Sequence, residues 1–80
     1  MLDELRGARK VIGIKQLRRA LGAGNVRKVF LAEDADPRLT DPLAEMCSSQ
    51  GVEVEHAKTM KELGRAGGID IGAAAAGILR

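Results

Sequence analysis

The segment Val26 to Ala32 (VRKVFLA) is rich in β-branched and apolar residues and is mostly continuous rather than alternating. Such a run reads as a central strand, buried on both faces. A strand of that kind needs covering layers above and below. In a chain of 80 residues those layers must come from the short segments on either side of it. A length of this order fits one small domain, residues 1–80, with about 60% of the unfolded surface buried on folding.

The flanking segments alternate helical and strand patterns. Leu2, Leu5 and Ala8 repeat every three residues and predict a short helix. Val11-Ile12 with Ile14 predicts a brief strand ending at Gly13. Ile14, Leu17, Ala20 and Leu21 then follow helical spacing, with Lys15, Arg18 and Arg19 on the opposite face. Gly22 and Gly24-Asn25 stop that helix. After the central strand, Asp36-Pro37 and Asp41-Pro42 each place a capping side chain before a proline suited to a first helical position. Leu43, Met46 and Cys47 supply the apolar stripe, and Gly51 closes the helix. Val52 to His56 alternates in period two, with Glu53 and Glu55 on one face. Thr59 and Glu62 form a capping box for a helix through Leu63 that ends at Gly67-Gly68. Ala73 to Leu79 predicts a closing strand packed against close neighbours. The order αβαβαβαβ predicts an α/β/α sandwich.

Composition removes several function classes. Phe30 is the only aromatic residue, so modules that stack bases on aromatic platforms are excluded. One cysteine, Cys47, leaves no intrachain disulfide and no Cys-rich zinc site, and fits a reducing compartment. The first ten residues carry two acids and three bases without an apolar core. The weakly polar stretch from Ile71 to Leu79 is far short of the ~20 residues a membrane span needs. The expectation is a soluble, cytoplasmic protein with no membrane partner.

The net charge of +2 hides an asymmetry. Residues 1–28 hold eight bases and two acids; residues 29–57 hold seven acids and one base; residues 58–80 hold four bases and two acids. A basic first third suits an anionic partner such as nucleic acid, while the same charges can also simply solvate helix faces.

Few residues carry chemistry. No Gly-Lys-Ser/Thr phosphate loop is present, and Gly22-Ala23-Gly24 follows a helix rather than a strand. Glu33, Asp34 and Asp36 form an acidic knot after the central strand, but the Asp-Pro pattern accounts for it as turn and cap chemistry. His56 has no second histidine, so no metal site is expected. Cys47, Met46 and Met60 read as core residues. The junction Gly13-Ile14-Lys15-Gln16-Leu17-Arg18-Arg19 is different. A strand delivers a glycine to a helix start, where free N–H groups and the positive dipole end favour anions. Lys15 and Arg19 stand one turn apart and can embrace phosphates, and Gln16 offers an amide toward a base edge.

These residues resemble a known family. Val11-Ile12-Gly13-Ile14-Lys15-Gln16, Ala32-Glu33-Asp34-Ala35-Asp36-Pro37, Lys61-Glu62-Leu63-Gly64 and Gly68-Ile69-Asp70-Ile71-Gly72 with Ala73 to Ala76 occur in this order. From about Leu2 to Arg80 the chain is similar to the kink-turn RNA-binding ribosomal-protein superfamily, of the L-seven-Ae type, and to its short bacterial members. The resemblance implies a three-layer α/β/α sandwich with a four-stranded mixed sheet, and RNA binding without catalysis or cofactor. Its RNA is a sharply bent helix–internal loop–helix with tandem sheared G·A pairs, in ribosomal RNA or a structured mRNA leader, and its setting is the ribosome. It places Gly13, Ile14, Lys15, Gln16 and Arg19 against those pairs and the flanking backbone. Gly68, Ile69, Asp70 and Ile71 form a second contact, an apolar lid over an extruded base. Two other readings stand beside it: an adaptor using the acidic surface of residues 33–55, and a small enzyme or nucleotide-binding domain using Glu33, Asp34 and Asp36.

Overall fold

The computed structural model describes residues 2–80. A 3-10 turn, Leu2–Leu5, leads to β1 (Lys10–Ile12), α1 (Ile14–Gly22), β2 (Val26–Ala32), α2 (Pro37–Gln50), β3 (Glu53–Ala57), α3 (Met60–Ala66) and β4 (Ala75–Leu79). The four strands form one mixed sheet in the order β1-β4-β2-β3. β2 and β3 are parallel, and β4 is antiparallel to both β1 and β2. The α/β/α sandwich and the four-stranded mixed sheet are therefore both present.

Strand β2 is covered on both faces, as its composition requires. On one side α1 and α2 contribute Leu17, Leu21, Leu43 and Cys47 to a core with Val26, Val29 and Leu31. On the other, the 3-10 turn and α3 contribute Leu5 and Leu63 to a core with Phe30, Ala32 and Ile78. Val26 and Val29 face the same side because the β2–β4 register shifts between Val26 and Lys28. A bulge of this type flips the alternation by one residue. Helix α1 is too short to be stable alone. It seats Leu17 against Gly77 of β4, where any side chain would collide with Leu17 Cδ1.

Three local expectations differ from the structure. The first helix is a single 3-10 turn that stops before Ala8. Only one Asp-Pro pair caps α2: Asp36 is the N-cap and accepts the Arg38 N–H at 2.9 Å, while Pro42 lies inside the helix. Pro42 removes one backbone donor, the partner of the Arg38 carbonyl one turn earlier. Met60 is 36% exposed and is not a core filler; it is the first residue of α3. Cys47 is fully buried, and burial raises its thiol pKa, so it is an inert core residue.

Lys28, counted in the basic third, is withdrawn from the surface. It is 6% exposed and lies 5.3 Å from the centre of the Phe30 ring. Its ammonium meets Glu4, Glu55 at 3.1 Å and Glu53 at 3.4 Å. The cluster ties the 3-10 turn to the edge strand β3. The Lys28 hydrogen bond holds the Glu4 carboxyl down at about 2, from an ordinary 4.5. A carboxyl lowered on folding stabilises the fold above its unfolded pKa, and that contribution disappears as pH falls through the folded value. Lys28→Met should therefore lower the thermal midpoint at neutral pH. The deficit should shrink between pH 4.5 and about 2 as the clustered carboxylates protonate. Melting curves followed by circular dichroism across that range test this; a deficit independent of pH would mean lost packing rather than lost charge pairing.

Candidate nucleic-acid interface

Strands β1, β2 and β3 run in the same direction, and each leads directly into a helix. All three helix starts therefore gather at one rim of the sheet, where β4 begins. Each start presents unsatisfied N–H groups and the positive end of a helix dipole. Two of them are closed by the protein's own side chains. Asp36 caps α2, and Arg38 clamps the same carboxylate through Nη2 at 2.8 Å and Nε at 3.2 Å. Thr59 Oγ1 accepts the Glu62 N–H at 3.0 Å, and Asp34 Oδ1 accepts the Met60 N–H at 2.7 Å. Among the described residues, α1 alone of the three α-helices has no side-chain cap.

The N-cap of α1 is Gly13, at φ 106 and ψ 159. That positive φ is open to glycine and strained for other residues. Gly13 N–H donates to the Ala75 carbonyl at 2.9 Å, and its own carbonyl accepts the Leu17 N–H at 3.0 Å. The backbone of Ile14, Lys15 and Gln16 forms the first turn, which holds no acid. The Ile14 side chain packs against the core and anchors this turn. Lys15, Gln16, Arg18 and Arg19 are exposed. The Gln16 amide folds back toward Gly13: a Cβ there would lie 2.7 Å from Gln16 Oε1.

The second predicted contact, Gly68 to Ile71, is the loop that brings the chain from α3 to β4. Backbone hydrogen bonds and one side chain, Ile69, hold it in place. Ile69 N–H donates to the Gly64 carbonyl at 3.0 Å, and Ala73 N–H to the Met60 carbonyl at 2.9 Å. The Ile71 carbonyl occupies the space where a Gly64 side chain would stand. A Cβ on Gly67 would lie 2.6 Å from Ile12 Cδ1, one residue before Gly13. The loop is thus bounded by Gly67 against the end of β1 and by Ala75 bonded to Gly13. The helix tip and the loop are neighbours on one rim. Ile71 projects into solvent, 75% exposed, whereas Ile69 is half-buried against the core and anchors the loop. Asp70 and Gly68 are exposed beside it.

One residue at this rim escaped the sequence reading. Met60 lies against Gly72, with a Cβ-to-Cβ approach of 3.1 Å if Gly72 carried one. It therefore extends the apolar surface around Ile71. Its place directly after the N-cap Thr59, where a helix is least covered, was the available signal.

The acidic segment is largely committed to the fold. Of its seven acids, Asp34 and Asp36 cap helices, and Glu53 and Glu55 hold Lys28. Glu33, Asp41 and His56 line a separate cavity of about 260 Å³ between α2 and the ends of β2 and β3. No group of three His, Cys, Asp or Glu side chains among the described residues is placed to hold a metal ion. No helix among them is long and apolar enough to cross a membrane.

The sequence and the four-stranded sandwich can both be compared with known proteins. The sequence profile of the "Ribosomal protein L7Ae/L30e/S12e/Gadd45 family" matches residues 3–80. The chain belongs to this family. It is 41% identical over 76 residues to RNA-binding protein YbxF of Geobacillus stearothermophilus, spanning 95% of this chain and 93% of that one. It is 37% identical over 68 residues to the large ribosomal subunit protein eL8 of Halobacterium salinarum, spanning 84% of this chain and 57% of that one. Among solved structures it is similar to the 15.5kD RNA binding protein of Giardia lamblia, with a TM-score of 0.83, 25% identity, and coverage of 99% of this chain and 65% of that one.

Gly64→Ala probes the loop seat. The added methyl meets the Ile71 backbone, so the loop must shift. The expected cost is about 1–3 kcal/mol in denaturant unfolding, as for other overpacked sites. Amide spectra should show displacement confined to residues 68–73 and their contacts. An unchanged loop would mean that the seat is looser than described.

Proposed function

We propose that this protein binds a sharply kinked RNA, a helix–internal loop–helix with tandem sheared G·A pairs, and does no chemistry on it. The observation that carries this reading is the pairing of an uncapped, acid-free helix start with an exposed isoleucine on a backbone-held loop. The free N–H groups of α1 receive phosphate or base oxygens. Lys15 and Arg19, exposed one turn apart, supply charge to the RNA backbone. Gln16, whose amide both donates and accepts, reads the G·A edges. Ile71, with Asp70 and Gly68 beside it and Ile69 holding the loop, covers a base turned out of the stack.

The shape of the RNA explains how a protein with one buried ring can do this. An undistorted A-form major groove is too narrow for a helix, whereas a kinked internal loop opens it. Recognition then rests on form, phosphates and a few base-edge bonds. The names of relatives fit: YbxF and the Giardia lamblia protein are RNA-binding proteins, and eL8 is part of a large ribosomal subunit. We place this chain with them, in the cytoplasm and in association with the ribosome.

Fluorescence anisotropy with a labelled kinked RNA tests the reading. Binding should weaken as salt rises, because phosphate contacts release counterions. Replacing the G·A pairs by Watson–Crick pairs should abolish tight binding. Lys15→Glu should weaken binding to every RNA about ten-fold or more, as expected for a charge-assisted contact turned repulsive. Gln16→Ala should narrow the gap between kinked and repaired RNA. Equal affinity for both RNAs would overturn the proposal.

A further inference from the structure

The rim clasp leaves one concavity beside α1 unused. It is a groove of about 280 Å³, with Val11 and Leu79 of the sheet, Ala20 of α1 and the C-cap residue Ala23 as its apolar walls. Gln16, Arg19 and Asn25 form its polar edge. Gln16, Ala20 and Ala23 succeed one another along one side of α1. The groove therefore begins at the helix tip and descends roughly 10 Å, at about 1.5 Å per residue. Its volume lies just below the range of about 300–1,000 Å³ occupied by drug-sized ligands, which suits one heterocycle.

Its charge is of one sign. None of the lining residues is acidic, and α1 contributes no acid to its rim. Arg9 adds a second cation. It is exposed, its carbonyl accepts the Leu79 N–H at 2.8 Å, and it stands two residues before Val11. Arg9 precedes β1 by one residue, and the β1–β4 register sets it opposite Leu79, at the margin of the groove. Apolar walls between guanidinium groups match a nucleotide, whose base has a flat unsolvated face and whose phosphate is anionic. The groove is also continuous with the proposed RNA contact, because Gln16 and Arg19 belong to both.

Resting on the RNA reading above, we infer that this groove holds one unpaired nucleotide of the same RNA, at the point where a strand leaves the kinked element. The base lies against Val11, Ala20, Ala23 and Leu79. The phosphate sits between Arg19 and Arg9, and the Asn25 amide meets the base edge. Unpaired bases are the part of an RNA that a protein surface can enclose in this way.

Anisotropy titrations of wild type and Ala23→Leu test this against a set of labelled RNAs. All carry the same kinked element. One is fully paired on both sides, and the others have a single added unpaired adenosine beside the element, at each strand position in turn. At one position the adenosine should tighten wild-type binding about three- to ten-fold, at or below the low end of what a base stacked on an aromatic ring contributes. Ala23 is exposed at the end of α1, so Ala23→Leu fills the groove without entering the core. The variant should bind the fully paired RNA as wild type does and show no gain from the adenosine. If no position tightens wild-type binding, or if Ala23→Leu keeps the gain, the groove is not the nucleotide's seat. If neither protein prefers the fully paired kinked RNA to a continuous duplex, the RNA reading itself fails, and the groove assignment with it.

Discussion

The shared direction of β1, β2 and β3 is the constraint from which the site follows. Three helices of different length and composition start at one rim because the strands before them point the same way. Strand β4, running against them, delivers its preceding loop to that same rim. The hydrogen bond from Gly13 to Ala75 and the close approach of Gly67 to Ile12 join the two halves. Without the reversed strand the loop would lie at the far end of the sheet, and the helix tip would stand alone.

The three helix starts divide their work by what precedes them. Asp36 and Thr59 satisfy α2 and α3 from within, and Asp34 adds a bond across from the β2 loop. Gly13 has no side chain to offer, so α1 keeps its donors open. The charge pattern follows the same division. Four of the seven acids of the middle third serve caps or Lys28, while Lys15, Arg18 and Arg19 stay exposed on α1. The two-signed chain thus becomes a protein that ties part of its negative charge into caps and the Lys28 cluster, while the positive charge on α1 faces outward.

Much of this was legible in the residues. The continuous run Val26 to Ala32 demanded two covering layers, and both are present. The glycine between β1 and α1 marked the open helix start, and Thr59 and Gly51 marked boundaries that hold. What local pattern missed depends on partners distant in sequence. Lys28 reads as a surface base until Glu4, Glu53 and Glu55 are brought around it by the sheet. Pro42 reads as a first helical residue until Asp36 takes the cap in place of Asp41, five positions earlier. Ile69 and Ile71 look equivalent, two residues apart in a loop, yet only the fold decides that one faces the core and the other solvent. Met60 is hydrophobic by type, and only its position at a helix start exposes it.

The loop's seating on bare glycine backbone separates its position from its vocabulary. Gly64, Gly67 and Gly72 determine where the main chain runs, and none of the exposed side chains between them takes part in that. Asp70 and Ile71 are accordingly free to vary without disturbing the scaffold. A domain built this way can change the chemistry of its rim by exchanging two outward residues, much as a printing frame keeps its shape while the type is reset.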